Sequence, residues 1–469
     1  MATFRVIRDG LKALAALLLP FLDPPGRGRT PVLRWGLHVL SLALVLAGLW
    51  YINWHFDLGK AVRSPFPQLH GIWLPLLFLL AYAALGVAAW LWRMLGPERP
   101  SVEYPDIDAA WTEALRALRQ ANLDATEPPL FLVLGRPLSR EENLFAAAPI
   151  PWLAQGAPCR ADAPLRVYAG RKAVFVTCAE LSELGRQTRL LAGDSTAPQS
   201  ARLGIVEALN ERQSRLRYLC RLILRARRPY CPLNGILALV PLPGLADDAA
   251  AKRLADAAQT DVQTARDVFQ LECPTVVLVT DLDRASGCAE FLGDCPPAAR
   301  DEALGQRFPL VPDIDPHEVA GMIESGLASL CGSRRLELLE PKFLLDPAGG
   351  EAAGAPGAAV RKNMRLYQFA ESVRQLGPRL ARLARRVAAG ADGGPPMLAG
   401  VFLAATGDDA ARQAFVPGVI RLLLQDQNYV TWTPEALAEE RSFAWMTAAG
   451  YVACVLLLAL GGLGYWFWH

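Results

Sequence analysis

Three transmembrane helices, with a cytoplasmic α/β domain and a helical extension between the second and the third, are the architecture this sequence predicts. Three observations lead there. Apolar residues are in excess: 52% of 469 residues are hydrophobic and the mean hydropathy is +0.20, high for a wholly soluble chain. The excess is concentrated in three uncharged runs, at 35–52, 72–92 and 444–468, each close to the roughly twenty residues a helix needs to cross a bilayer. Between the second and third lie short, fully apolar runs at 130–134, 173–176, 236–240 and 275–279. The stretches separating them are long enough for crossover helices, which is the pattern of buried parallel strands.

From the N-terminus, an apolar run at 11–22 follows Arg5, Arg8 and Lys12 and is short enough for an interfacial helix. The run at 35–52 starts too late for a cleaved signal and is followed by a second span, so it reads as an anchor. Trp50, Tyr51 and Trp54, then Trp73, Trp90 and Trp92, then Tyr465, Trp466 and Trp468 stand at the ends of the runs, as interfacial aromatics do. Arg5, Arg8, Lys12, Arg27, Arg29 and Arg34 precede the first span and Arg93 and Arg99 follow the second, against Lys60 and Arg63 in the loop between. The positive-inside rule then places the N-terminus and the central region in the cytoplasm, with Arg441 before the third span and His469 outside.

The expected divisions are a membrane region over 1–100, the α/β domain over 101–345, a linker and helical extension over 346–443, and the third span over 444–469. Asp106 or Asp108 is expected to cap a helix with Trp111, Leu115 and Leu118 on one face. A crossover helix is expected over 254–270. Residues 346–359, rich in Gly, Ala and Pro, read as a loop, and 364–387 as a helix with Leu366, Phe369, Val373 and Leu376 in an apolar stripe. A further apolar run at 401–405 reads as a strand.

Composition excludes several functions. A net charge of +2 with no basic, aromatic-interleaved stretch gives no sign of nucleic-acid binding. Arg221, Arg225, Arg227 and Arg228 read as a solvated helix end. The nine cysteines form no CxxC pair and read as reduced thiols. Asp313, Asp315, His317 and Glu318 read as a helix cap around Pro316 rather than a metal site. His38, His55, His70 and His469 read as interfacial side chains. No G-x-S-x-G, H-E-x-x-H or Cys/His nucleophile arrangement is present.

The run at 130–134 leads into Gly135-Arg-Pro-Leu-Ser-Arg-Glu-Glu142, the outline of a phosphate-binding loop. A working loop reads G-x-x-x-x-G-K-[ST]: backbone N–H groups wrap the phosphates, the Lys neutralises them, and the hydroxyl holds Mg²⁺. Gly135 keeps the first position, but Arg140 replaces the second Gly, Glu141 the Lys and Glu142 the Ser/Thr. A charge pair at about 4 Å is worth about 4 kcal/mol at an effective dielectric near 20, so Lys to Glu swings binding by at most about twice that. A micromolar nucleotide is held by only about 8 kcal/mol. Taken alone, the segment leaves open that Gly135 simply ends a strand.

Four segments together resemble the N-terminal half of the TssM/IcmF family of type VI secretion inner-membrane components. Residues 129–144 lie where that family has its P-loop. Ala173-Val-Phe-Val-Thr-Cys-Ala-Glu180 resembles its strand ending in D-T-A-G, and Arg228-Pro-Tyr-Cys-Pro-Leu-Asn-Gly-Ile236 its R-P-x-x-P-L-N-G-V. Residues 273–283, ending Thr280-Asp-Leu-Asp283, with 287–291, resemble its segment around T-K-x-D. Thr177 stands for the Walker-B-like Asp, Glu180 for the Gly, and Asp281 for the Lys, while Asp283 keeps the base-reading carboxylate. The resemblance therefore implies a degenerate P-loop NTPase-like domain with no catalytic residue, no nucleotide cofactor and no metal.

It also implies a scaffold in the bacterial inner membrane. The implied partners are a DotU/TssL-like membrane subunit, baseplate components and further copies of the chain; for the family's large periplasmic region, either a separate periplasmic subunit supplies it or the chain serves a variant or different membrane assembly. The rival readings are an active membrane GTPase or ATPase with non-standard residues, resting on Gly135 and Asp283, and a membrane sensor or transport subunit.

Overall fold

The computed structural model describes residues 31–56, 69–95, 103–160, 162–193, 205–310, 317–318, 321–326, 357–389 and 397–468. Two long helices come first, α1 (Pro31–His55) and α2 (Leu69–Leu95). They pack as a hairpin: the Asn53 amide donates to the carbonyls of His70 (3.0 Å) and Gly71 (2.8 Å), and the Tyr82 hydroxyl lies 2.9 Å from His38 Nε2. After them follow α3 (Pro105–Gln120), β1 (Leu130–Leu134), α4 (Glu141–Ala146), β2 (Trp152–Ala157), β3 (Arg166–Gly170), β4 (Val174–Thr177), α5 (Glu183–Leu191) and α6 (Ile205–Arg227). Next are β5 (Gly235–Pro241), α7 (Asp248–Phe269), β6 (Leu271–Glu272), β7 (Thr275–Thr280), α8 (Cys288–Asp294), α9 (Pro297–Arg300) and β8 (Leu304–Arg307). The chain continues through α10 (Gly357–Ala388), β9 (Leu398–Leu403), β10 (Ala405–Thr406), β11 (Gln413–Ala414), α11 (Val416–Gln425), β12 (Thr431–Trp432) and α12 (Pro434–Trp468). Contacts divide it into two compact units, one of α1, α2 and most of α12, the other Val102–Leu437.

The second unit is a mixed α/β fold around one eight-stranded sheet in the order β2-β3-β4-β1-β5-β7-β9-β8. Its five central strands, β4, β1, β5, β7 and β9, are parallel, and β3 and β8 run antiparallel to their neighbours. All four apolar runs read as buried parallel strands occupy these central places. They are apolar throughout because both faces are covered. Leu130, Leu132 and Leu134 face a core built with Trp111, Leu184, Leu219, Leu254 and Leu380 from α3, α5, α6, α7 and α10. Phe131 and Val133 face the opposite core, with Phe145 of α4 and Ile420 and Leu423 of α11.

The expected crossover helix is α7, and the stripe Leu366, Phe369, Val373 and Leu376 is buried on α10 as its spacing requires. Three expectations need correction. The division at 345 does not separate an extension from the α/β domain, because β9 lies inside the sheet, hydrogen-bonded to β7 and β8, and α10 covers one face. Neither Asp106 nor Asp108 caps α3: Tyr104 is the cap residue, Asp106 pairs with Arg215, and Asp108 accepts the Tyr218 hydroxyl at 2.6 Å. Arg227 is not solvated; it is 3% exposed. Its guanidinium donates to the carbonyls of Cys231 (2.8 Å), Pro128 (2.9 Å) and Ala125, tying the end of α6 to the approach to β1. Asp313, Asp315 and Pro316 lie outside the described residues, as do 346–356 of the expected loop.

Among the described residues, one helical segment, His70–Ala88 in α2, is long and apolar enough to cross a membrane, with a hydropathy of 2.0. Helices α1 and α12 stand where the other two apolar runs were found.

Candidate functional site

From β1 the chain passes to β4 on one side and then crosses back to β5 on the other. The carboxyl end of β1 is thus a topological switch point, the place where open α/β sheets bind ligands. Gly135 begins the loop there with φ +79°, and a Cβ on it would sit 2.5 Å from the Leu239 carbonyl oxygen. Glycine is required by both backbone angle and space. The loop runs to Arg140, the cap residue of α4, whose first two residues are Glu141 and Glu142.

Two of the loop's amides are already occupied. Asp281, at the end of β7, is fully buried, and its two carboxylate oxygens accept the N–H groups of Leu138 and Ser139, both at 2.9 Å. The Thr280 hydroxyl donates to the same carboxylate at 2.8 Å, and Arg284 Nε lies 3.7 Å away. Asp281 adopts left-handed angles (φ 63°). Its N–H donates to Thr406 Oγ1 at 3.1 Å, which also accepts the Ser139 hydroxyl at 3.0 Å. An anion of the chain itself therefore sits where a nest of backbone N–H groups would otherwise meet a phosphate.

Glu141, in the place of the Lys, turns toward β4, where the Thr177 hydroxyl donates to its Oε1 at 2.7 Å. Burial pushes its carboxyl above the ordinary range, against the Thr177 bond and the nearby Arg166 charge. Glu142 pairs with Arg166 of β3 at 3.1 Å, and Glu180 pairs with Arg189 of α5. A cavity of about 470 Å³ opens here, lined by Arg136, Arg140 and Arg166 and by Glu141, Glu142 and Glu180. Its formal charge is zero, with no surplus of cations for a polyphosphate.

Six of the eight sequence-predicted positions thus surround or begin this loop. Asp281 contacts it from β7. Asp283 does not line the cavity: its Oδ1 accepts the Thr406 N–H at 3.2 Å, and burial raises its carboxyl above the ordinary range. Among the described residues, no cluster of three or more His, Cys, Asp or Glu is placed to hold a metal.

Two residues were missed by sequence reasoning. Thr406 was signalled only by the small residues Ala-Ala-Thr-Gly after the apolar run of β9. Asp261, on α7, carried no signal. It is 2% exposed, and its carboxylate accepts the N–H groups of Glu183 (3.0 Å) and Leu184 (2.8 Å) at the start of α5. Burial raises its pKa to about 7, against the two backbone N–H groups. The helix entry after β4, like the loop after β1, is filled by the chain's own carboxylate.

A family model described as the IcmF-related N-terminal domain matches residues 210–444, half of the chain. The match takes in β5, β7, β9, Asp281, Asp283 and Thr406, and two of the four resembling segments; β1 and β4 precede it. No curated protein and no solved structure matches the chain.

Proposed function

The chain belongs to the IcmF-related family, and from that membership we propose that it is a structural subunit of a bacterial type VI secretion-like membrane complex. Its degenerate NTPase-like domain acts as a platform at the cytoplasmic face of the inner membrane. The observation that carries this reading is the pair of hydrogen bonds from Leu138 and Ser139 to Asp281. A phosphate would have to displace a buried carboxylate and settle beside Glu141 and Glu142; each like-charge contact at about 4 Å costs about 4 kcal/mol at an effective dielectric near 20, and two of them together match the roughly 8 kcal/mol that holds a micromolar ligand. Asp283 does not favour an active enzyme, since it is engaged by the backbone of Thr406.

Helices α1, α2 and α12 are the three spans in this proposal. Large apolar side chains stand exposed along them, among them Leu44, Leu77, Leu85, Trp445 and Val455, which suits lipid or neighbouring helices better than water. Ala43 and Ala47 on α1, and Ala84 and Ala88 on α2, give those helices a face for close packing. The proposed partners are a DotU/TssL-like membrane subunit, baseplate components and further copies of the chain.

Calorimetric titration of the full chain in mild detergent with Mg²⁺-ATP and Mg²⁺-GTP tests the loop; we expect no binding at micromolar concentration, and low-micromolar affinity would overturn the proposal. Co-purification tests the scaffold. A membrane partner at near-equal amounts is expected, and a chain that runs alone defeats it.

A further inference from the structure

Away from the loop, helices α7 and α10 meet along a groove of about 550 Å³ that neither the sheet nor the loop uses. On α7, Asp248, Lys252 and Asp256 recur at four-residue spacing and share a face; on α10, Arg379, Arg382 and Arg386 share another, with Arg385 beside them. The floor is small and apolar, with Ala251, Ala255 and Leu383 buried. Alanine on α7 leaves the space between the helices unfilled. The rim is charged: Asp248 accepts from Arg379 Nε at 2.7 Å and Arg382 Nη2 at 2.8 Å, and Asp256 from Arg386 Nε at 2.9 Å.

Those bonds engage both carboxylates and leave cations over. The lining holds four arginines and a lysine against two aspartates, and Lys252 and Arg385 make no ion pair among the described residues. The side chains of Arg382 and Arg386 remain more than half exposed at 53% and 54%, with guanidinium N–H donors left for further carboxylates. Were the row only a brace between helices, two carboxylates and two arginines would balance it.

We propose that this groove docks an acidic amphipathic segment of a partner protein, its aliphatic side chains on the alanine floor and its carboxylates on the arginine rim. Both halves of that chemistry are recurrent modes of peptide recognition, an apolar face laid in a groove and acidic groups read by an arginine cluster. Anionic lipid fits less well, because a planar headgroup layer reaches the rim cations and leaves the concave floor empty. The proposal does not depend on the state of the phosphate loop.

The test uses the full chain in neutral detergent and a fluorescein-labelled peptide of about fourteen residues, with Leu along one helical face and Glu elsewhere, beside the same peptide with Gln for Glu. By anisotropy at physiological salt, the Glu peptide is expected to bind at least about tenfold tighter than the Gln peptide. The double variant Lys252→Glu with Arg385→Glu should lose about tenfold in affinity at an unchanged melting temperature, since neither residue makes an ion pair among the described residues, while Arg385→Lys should retain most of it. Equal binding of the two peptides, or equal binding by the double variant, overturns the proposal. So does binding of the chain, in neutral-lipid nanodiscs, to phosphatidylserine vesicles that the double variant loses while peptide binding is unchanged.

Discussion

Replacing Asp281 with Ala removes the group on which the closed loop depends, and the cost can be worked from its contacts. The carboxylate has no exposed surface and accepts three hydrogen bonds, from Leu138 N, Ser139 N and Thr280 Oγ1, at 2.9, 2.9 and 2.8 Å. Hydrogen bonds to a charged group contribute about 1.5–3 kcal/mol each, but burying the carboxylate costs several kcal/mol, so the sum overstates the net. What the variant leaves behind is clearer: two loop N–H groups without an acceptor, at about 1–3 kcal/mol apiece. A loss of about 2–5 kcal/mol is expected. At about 2–4 °C per kcal/mol, the melting temperature should fall by about 4–20 °C. Tryptophan fluorescence during thermal unfolding of the full chain in detergent measures it. Asp281→Asn should lose about half as much, because the amide oxygen keeps one bond while its NH₂ opposes the other donor. A variant Asp281→Ala that melts within about 1 °C of the parent would refute the assignment of the carboxylate as the loop's internal anion.

Other expectations follow from the same contacts. Asp261 has its folded-state pKa raised from 3.8 to about 7 by burial, so the folded protein binds the extra proton between those values; the stability this contributes is full below about pH 4 and is lost as pH rises through 7. Asp261→Asn should remove that part of the slope, seen as a flatter dependence of melting temperature on pH from 4 to 8; an unchanged slope refutes it. Gly135→Ala, with φ +79° and a Cβ 2.5 Å from the Leu239 oxygen, should cost at least about 2 kcal/mol by the same melting assay. Arg227→Met leaves the carbonyls of Ala125, Pro128 and Cys231 without their donor and should cost about 2–4 kcal/mol, whereas a fully solvated arginine would cost almost nothing. Reporter fusions after Leu69 and His469 should be active as periplasmic reporters and one at Gly350 as a cytoplasmic one, and the reverse at Gly350 overturns the topology.

The central strands and the helix faces were legible because burial on both sides selects unbroken apolar runs, and burial on one side selects spacing. Leu130–Leu134 and residues 276–279 within Thr275–Thr280 are of the first kind, Leu366, Phe369, Val373 and Leu376 of the second. The edge strands β2 and β8 were not legible. Trp152–Ala157 mixes buried with exposed residues around Gly156, and Leu304–Arg307 carries Gly305 and only one fully buried residue, because an edge strand has fewer neighbours to dictate its composition.

Sequence alone sufficed to propose the loss of phosphate chemistry: Glu141, Glu142 and Asp281 are carboxylates wherever the chain puts them, and like charges repel without reference to a fold. That Asp281 does more than repel was decided by the tertiary structure. Residues 138 and 281 are far apart in the chain, and only the pairing of β1 with β5 and of β5 with β7 brings the carboxylate to the amides at 2.9 Å. The same holds for Asp261 at the start of α5, and for the cationic excess between α7 and α10, whose residues belong to two ordinary helices until those helices pack. Charge type is a property of the residue, whereas the partner a charge meets, and hence whether it opens a site or fills it, is set by contacts across the fold.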